Sequence, residues 1–163
     1  MLKSIRSFIS ELTQRREAKP HFSDDDYRLA AAALLVHIVS VDGVIDPAEQ
    51  EKLTEVIQNA YDLSDRETRD LVALAHKRDL EAVDLYSFTS VLKRNLEESE
   101  RLKIVEMMWE MVYADGSVHE FEDNTVWRVA ELLAISARDR NRLKKAVRER
   151  EHLEGTDEAE EGD

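Results

Sequence analysis

Apolar positions recur along this chain at intervals of three and four residues almost from end to end, which is the spacing that puts side chains on one face of a helix. The first such stretch, residues 1–19, places Ile5, Phe8, Ile9 and Leu12 on one face and Lys3, Arg6, Arg15, Arg16 and Lys19 elsewhere. After Lys19-Pro20-His21 the run Ser23-Asp24-Asp25-Asp26 predicts a helix start, since short polar side chains cap the free amides and acids suit the first turn. The helix it opens, RLAAAALLVHIVSV, is apolar all round and stops at Asp42-Gly43, where glycine tolerates the left-handed backbone that ends helices. Asp46-Pro47-Ala48-Glu49 opens the next helix. Here Asp46 is the cap, Pro47 the first helical residue, and Glu49 the reciprocal partner of a capping box. That helix is expected to reach about Ala60. Leu63-Ser64-Asp65 starts another carrying Leu71, Val72 and Ala75, and a short helix follows from about Asp84 to Leu96.

The theme then repeats. Ser99 leads a helix through Leu102, Val105, Met108, Trp109 and Val112 to Asp115-Gly116. His119 leads one through Val126, Val129, Ala130 and Leu133, and Ile135-Ser136 begins the last, expected to fade near His152. A shift of 73 positions lays Val36 on Trp109, Val39 on Val112, Asp42-Gly43 on Asp115-Gly116, Ile45 on Val118 and Glu49 on Glu122. A shift of 72 lays Leu63-Ser64 on Ile135-Ser136. Two copies of a three-helix unit are implied, at about residues 24–76 and 98–150. Each has an apolar face it cannot cover alone, so the two should pack about a pseudo-two-fold axis. The expected organisation is an N-terminal amphipathic helix over 1–19, an all-α domain over 22–152, and a disordered acidic tail over 153–163, where six acids meet no base.

Composition narrows the function. A formal net charge of −13 would repel nucleic acid and favours cations and basic protein surfaces. With no cysteine there is no disulfide, thiol nucleophile or thiolate metal site. A reducing cytoplasm is the expected compartment. No apolar run approaches the ~18 residues of a membrane span, and residues 1–19 lack the apolar block and cleavage site of a signal peptide. A basic amphipathic helix there either folds back on its own domain or lies on an anionic membrane surface.

The repeated Asp-Gly…Glu pattern invites a calcium-loop reading. With Gly43 at the sixth loop position, Asp42, Ile45, Asp46 and Glu49 fall at five, eight, nine and twelve, but Ile38 and Ser40 take positions one and three. In the second copy these become Met111 and Tyr113. The essential carboxylate at position one is absent twice, so this is not an EF-hand. Two readings stay open for the acids. Asp42 and Asp115 end helices where a carboxylate opposes the dipole by ~0.3–1 kcal/mol, which either serves turn hydrogen bonding or, with Glu49 and Glu122, converges on a hard cation such as Ca²⁺ or Mg²⁺. Asp46 and its counterpart His119 are further candidate ligands. No glycine-rich phosphate loop, HExxH, GxSxG or nucleophile–His–acid grouping is present. The expectation is therefore a protein that is not an enzyme, with metal-dependent hydrolysis by the carboxylate pairs the least favoured alternative.

Duplicated Asp42-Gly43-Val44-Ile45 with Glu49, Asp115-Gly116-Ser117-Val118 with Glu122, and Leu63-Ser64 with Ile135-Ser136 resemble the TerB-like (tellurite-resistance protein B) family over about Asp24 to Glu149. The resemblance implies a bundle of about seven or eight helices with internal symmetry, and a cytoplasmic protein tied to tellurite resistance and stress responses. It further implies an interaction module with a protein partner, and a suspicion of metal at Asp42, Glu49, Asp115 and Glu122. The alternative function is a peripheral membrane adaptor held by residues 1–19.

Overall fold

The computed structural model describes residues 22–40, 46–114 and 120–161. Within them the chain forms α1 (Tyr27–Val39), α2 (Pro47–Tyr61), α3 (Asp65–Glu81), α4 (Tyr86–Asn95), α5 (Glu98–Val112), α6 (Glu120–Leu132) and α7 (Ala137–Glu161). No strand occurs among the described residues. Residues 41–45 and 115–119, and the segment 1–19 expected to be an amphipathic helix, lie outside them. No described helix is long and apolar enough to cross a membrane.

Helix α1 is the centre. From Leu29 to Val39 every side chain except His37 is buried, and α2, α3, α4, α5 and α6 all pack on it. A helix apolar all round is stable only when surrounded in this way. Its run Ala30–Ala33 is what lets neighbouring helices approach closely from several sides.

The two repeats are visible as matched contacts. Helix α1 packs most extensively on α3, as α5 does on α7, and the pairs α1–α2 and α2–α3 recur as α5–α6 and α6–α7. Between the halves, α1 meets α5, while α2 meets α5 as α6 meets α1. This is the reciprocal pattern a two-fold axis requires. Helix α4 has no counterpart and fills the space against α1 and α6.

Matched termini underlie matched packing. Ser40 N–H donates to the Val36 carbonyl and Tyr113 N–H to that of Trp109, both at 3.0 Å. Helix α2 ends on Asp62 (φ 50°) and α6 on Ala134 (φ 59°), the two positive-φ residues other than glycine among those described. Leu63 N–H then reaches back to Gln58 O, and Ile135 N–H to Ala130 O. These are the six-to-one bonds of a Schellman motif, with the following apolar residue buried each time. Ser64 and Ser136 next cap α3 and α7 through the amides of Glu67 and Asp139, both at 3.1 Å. Alanine in the left-handed region costs about 1 kcal/mol that glycine avoids. Ala134→Gly is therefore expected to raise stability by about that amount in urea denaturation, and Asp62→Gly by less, because Asp visits this region more readily.

Helix α7 continues to Glu161, where apolar periodicity ends near His152 and a disordered tail is expected. Once a helix is formed, each further residue adds a hydrogen bond without the nucleation cost, so a backbone helix can outrun its buried face.

Candidate functional site

Of the six residues singled out as cation ligands, Asp42, Asp115 and His119 lie outside the described residues. The other three stand at helix starts. Asp46 caps α2 by accepting from the Ala48 amide at 3.0 Å, and Glu49 Oε2 accepts from the Asp46 amide at 3.4 Å. The capping box is thus present, and both carboxylates have local structural employment. Glu122 occupies the first turn of α6, half-buried, and the adjacent Asp123 pairs with Lys144 of α7. Among the described residues no three His, Asp or Glu side chains come together to hold a metal ion.

A different feature is built by the fold at the far end of α1. The end of α1, the C-terminal part of α3, the connector 82–85, the first turn of α4 and one side of α6 from Phe121 to Leu132 line a groove of about 980 Å³. Its walls carry Leu80 (87% exposed), Val83 (99%), Tyr86 (65%) and Phe121 (73%). Six large hydrophobic side chains are exposed among the described residues, and four of them are here. The remaining two have aromatic or cationic company: Tyr27 meets Tyr61 edge-on at 6.0 Å, and Arg140 lies 5.0 Å over the Trp127 ring. An exposed apolar cluster rimmed by polar groups marks a binding surface, whereas single exposed hydrophobes do not.

The polar rim is fixed by short bonds. His37 Nδ1 lies 2.9 Å from Asp79 Oδ1, joining the end of α1 to the end of α3 beside the groove. Asp84 Oδ1 accepts from the Tyr86 amide at 3.0 Å and so starts α4. His76 and Arg128 complete the polar lining. His37 is half-buried and hydrogen-bonded at this rim.

Sequence periodicity missed the groove, although it held a signal. The buried face of α3 uses Thr68, Leu71, Val72 and Ala75, and Leu80 is out of step with it. Phe121 is likewise out of step with Val126, Val129, Ala130 and Leu133. A large apolar residue off the buried register is the trace such a surface leaves.

A second cleft, of about 700 Å³ between α2 and α5, is more polar, and two of its four acids, Glu106 and Glu110, are paired. Arg150 bridges Glu106 at 3.2 Å and Glu110 at 2.8 Å. Burial nevertheless pushes the Glu110 carboxyl above the usual range, outweighing the pull of Arg150. Tyr61 at the same cleft is also pushed up by burial. Ordinary packing of α7 on α5 accounts for the ion pairs.

No curated protein and no solved structure matches the chain. A family model described as tellurite resistance protein TerB matches residues 28–145, from the first turn of α1 into α7. That span takes in the first three-helix unit from α1 onward, the α4 insertion, and the second unit as far as the first turns of α7, so by sequence and by its all-helical architecture the chain belongs to the TerB family.

Proposed function

We propose that this chain is a non-enzymatic interaction module acting in tellurite resistance and related stress responses in the cytoplasm, and that it receives the apolar face of a protein partner in the groove at the end of α1. One observation carries this reading: Leu80, Val83, Tyr86 and Phe121 come from separate segments yet converge, exposed, on one concave surface. Helix-in-groove recognition uses this combination of apolar walls and a polar rim. The test is a photo-reactive residue placed at Val83 of the full chain in cells. An adduct heavier than the chain, lost on Phe121→Asp and absent from the same probe at exposed Glu149, is expected. Failure to form a Phe121-dependent adduct would remove the reading.

The duplicated acids support a second component, Ca²⁺ or Mg²⁺ organising the Asp-Gly turns through Asp42 with Glu49 and Asp115 with Glu122. What favours it is the repetition of the acid pattern itself. Titrating chelator-treated protein is expected to shift the Gly43 and Gly116 amide signals. No shift at millimolar Ca²⁺, Mg²⁺ or Zn²⁺ would exclude it.

A further inference from the structure

We infer that α7 presents a second docking surface, opposite in sign to the rest of the molecule: a strip of Arg138, Arg142, Lys145 and Arg148 that takes an extended acidic segment of a partner protein. This interface is separate from the apolar groove and does not depend on it.

The strip stands out against the composition. Residues 137–150 hold seven of the 23 lysines and arginines and two of the 36 acids, a net +5, which leaves −18 on the rest of the chain. Three of the seven bases turn inward and are engaged. Arg150 bridges Glu106 and Glu110 of α5, Lys144 pairs with Asp123 of α6, and Arg140 lies over the Trp127 ring. The other four share the outer side of the helix, away from buried Leu143 and Val147. Arg138, Lys145 and Arg148 are exposed and form no ion pair among the described residues. Arg142 lies 3.4 Å from Asp139 of its own helix and stays exposed.

Folding gives no reason for this arrangement. Arg138 and Arg142 are four residues apart, and Arg142, Lys145 and Arg148 follow at steps of three, separations at which like charges on a helix repel. Arg138 also stands in the first turn of α7, where the helix dipole disfavours a cation. An anionic occupant relieves both.

Geometry selects an extended acidic segment. From Arg138 to Arg148 the helix rises about 15 Å. That is the reach of about five extended residues, whose alternate side chains stand roughly 6.6 Å apart on one side. Asp or Glu at alternate positions then meets the strip, and guanidinium groups suit planar carboxylates. Glu149 ends the strip by repelling a longer acidic run. A membrane suits it less, because the uncharged positions of this side are Asn141 and Ala146, with no large apolar residue to insert. Nucleic acid or a second copy would spread its negative charge over the −18 remainder of the chain, which repels it.

The test titrates the full chain, at low salt, with a fluorescein-labelled peptide of alternating Glu and Ser about ten residues long. Anisotropy should rise to saturation, and amide shifts should centre on residues 138–148. Arg142→Gln with Lys145→Gln should weaken binding about fivefold. Arg66→Gln with Lys93→Gln, an equal change of net charge at exposed positions of α3 and α4, should leave it unchanged. Both double variants should keep at least the parent's urea midpoint. No saturable binding at millimolar peptide, or equal weakening by the two double variants, overturns the inference. Tighter binding of oligothymidylate or of phosphatidylserine vesicles than of the peptide overturns it in favour of nucleic acid or membrane. The Phe121-dependent adduct at Val83 is measured independently, so the two interfaces stand or fall separately.

Discussion

Replacing Trp109 by alanine is expected to lower the unfolding free energy by about 3–5 kcal/mol, the range for removing a large aromatic side chain from a packed core. Trp109 is 1% exposed in α5, with Tyr113 at 6.2 Å between ring centroids and the Lys144 ammonium 5.1 Å over its ring. A cavity there removes contacts from α5 and takes away the ring beneath Lys144, which keeps its ion pair with Asp123. Against a total stability of about 5–15 kcal/mol, this is a large fraction, and the melting temperature should fall by roughly 10 °C. Among the described residues the indole Nε1–H has no hydrogen-bond acceptor. Trp109→Phe should therefore cost much less than alanine, since no satisfied bond is broken. The equivalent residue of the first repeat is Val36, also fully buried, so Trp109→Val tests whether the halves are interchangeable. It should fall between the other two, because the surrounding side chains are shaped for an indole and not for a valine. Urea denaturation followed by circular dichroism measures all three. Equal losses for phenylalanine and alanine would show that the indole ring is not packed as described.

The helical architecture was legible because its determinants are local. Asp46, Pro47 and Glu49 specify a helix start within four residues, and the structure forms the capping box they encode. Leu63-Ser64 and Ile135-Ser136 mark the same junction twice, and both junctions close with the same Schellman bond. The apolar stretch Leu29–Val39 announces a helix wrapped on all sides, and α1 is that helix. The groove was not legible, because its four walls come from the end of α3, a connector, α4 and α6. Nothing within any one of those segments shows that the others lie across from it. Val83 alone reads as a loop valine and Phe121 as an aromatic near a helix start. The acids posed the opposite difficulty: the sequence brings Asp46 and Glu49 together, and the same proximity that suggests a cation also satisfies a helix terminus. Spacing by itself cannot separate those roles, since both need a carboxylate near free amides.

The clearest separation of folding from recognition comes from introducing one side chain, glutamate, at two apolar positions. Ala32 is fully buried in α1 between its neighbouring helices. Ala32→Glu forces extra volume into that site, at about 1–3 kcal/mol. It also adds a carboxyl whose burial raises its pKa by roughly 3–5 units, each unit costing about 1.4 kcal/mol at neutral pH. Together these reach the whole stability of a domain this size, so the variant should be unfolded at pH 7. The sign follows from the raised pKa: the charge penalty is complete above the folded-state value and shrinks as pH falls towards the ordinary glutamate range. Ala32→Glu should therefore recover helical signal between pH 7 and 5, a gain its Ala32→Gln counterpart lacks. Val83 is 99% exposed. Val83→Glu should leave stability within about 0.5 kcal/mol of the parent while placing a solvated charge where an apolar face must sit. Its expected loss is confined to recognition, with the partner adduct abolished when the photo-reactive residue stands at Tyr86 of the same groove, and the urea midpoint unmoved. If instead Val83→Glu unfolded the chain while Ala32→Glu folded normally, the assignment of α1 to the core and of the groove to the surface would be reversed. Apolar residues at the two positions look alike in the sequence, and only their surroundings decide whether water or protein meets the new charge.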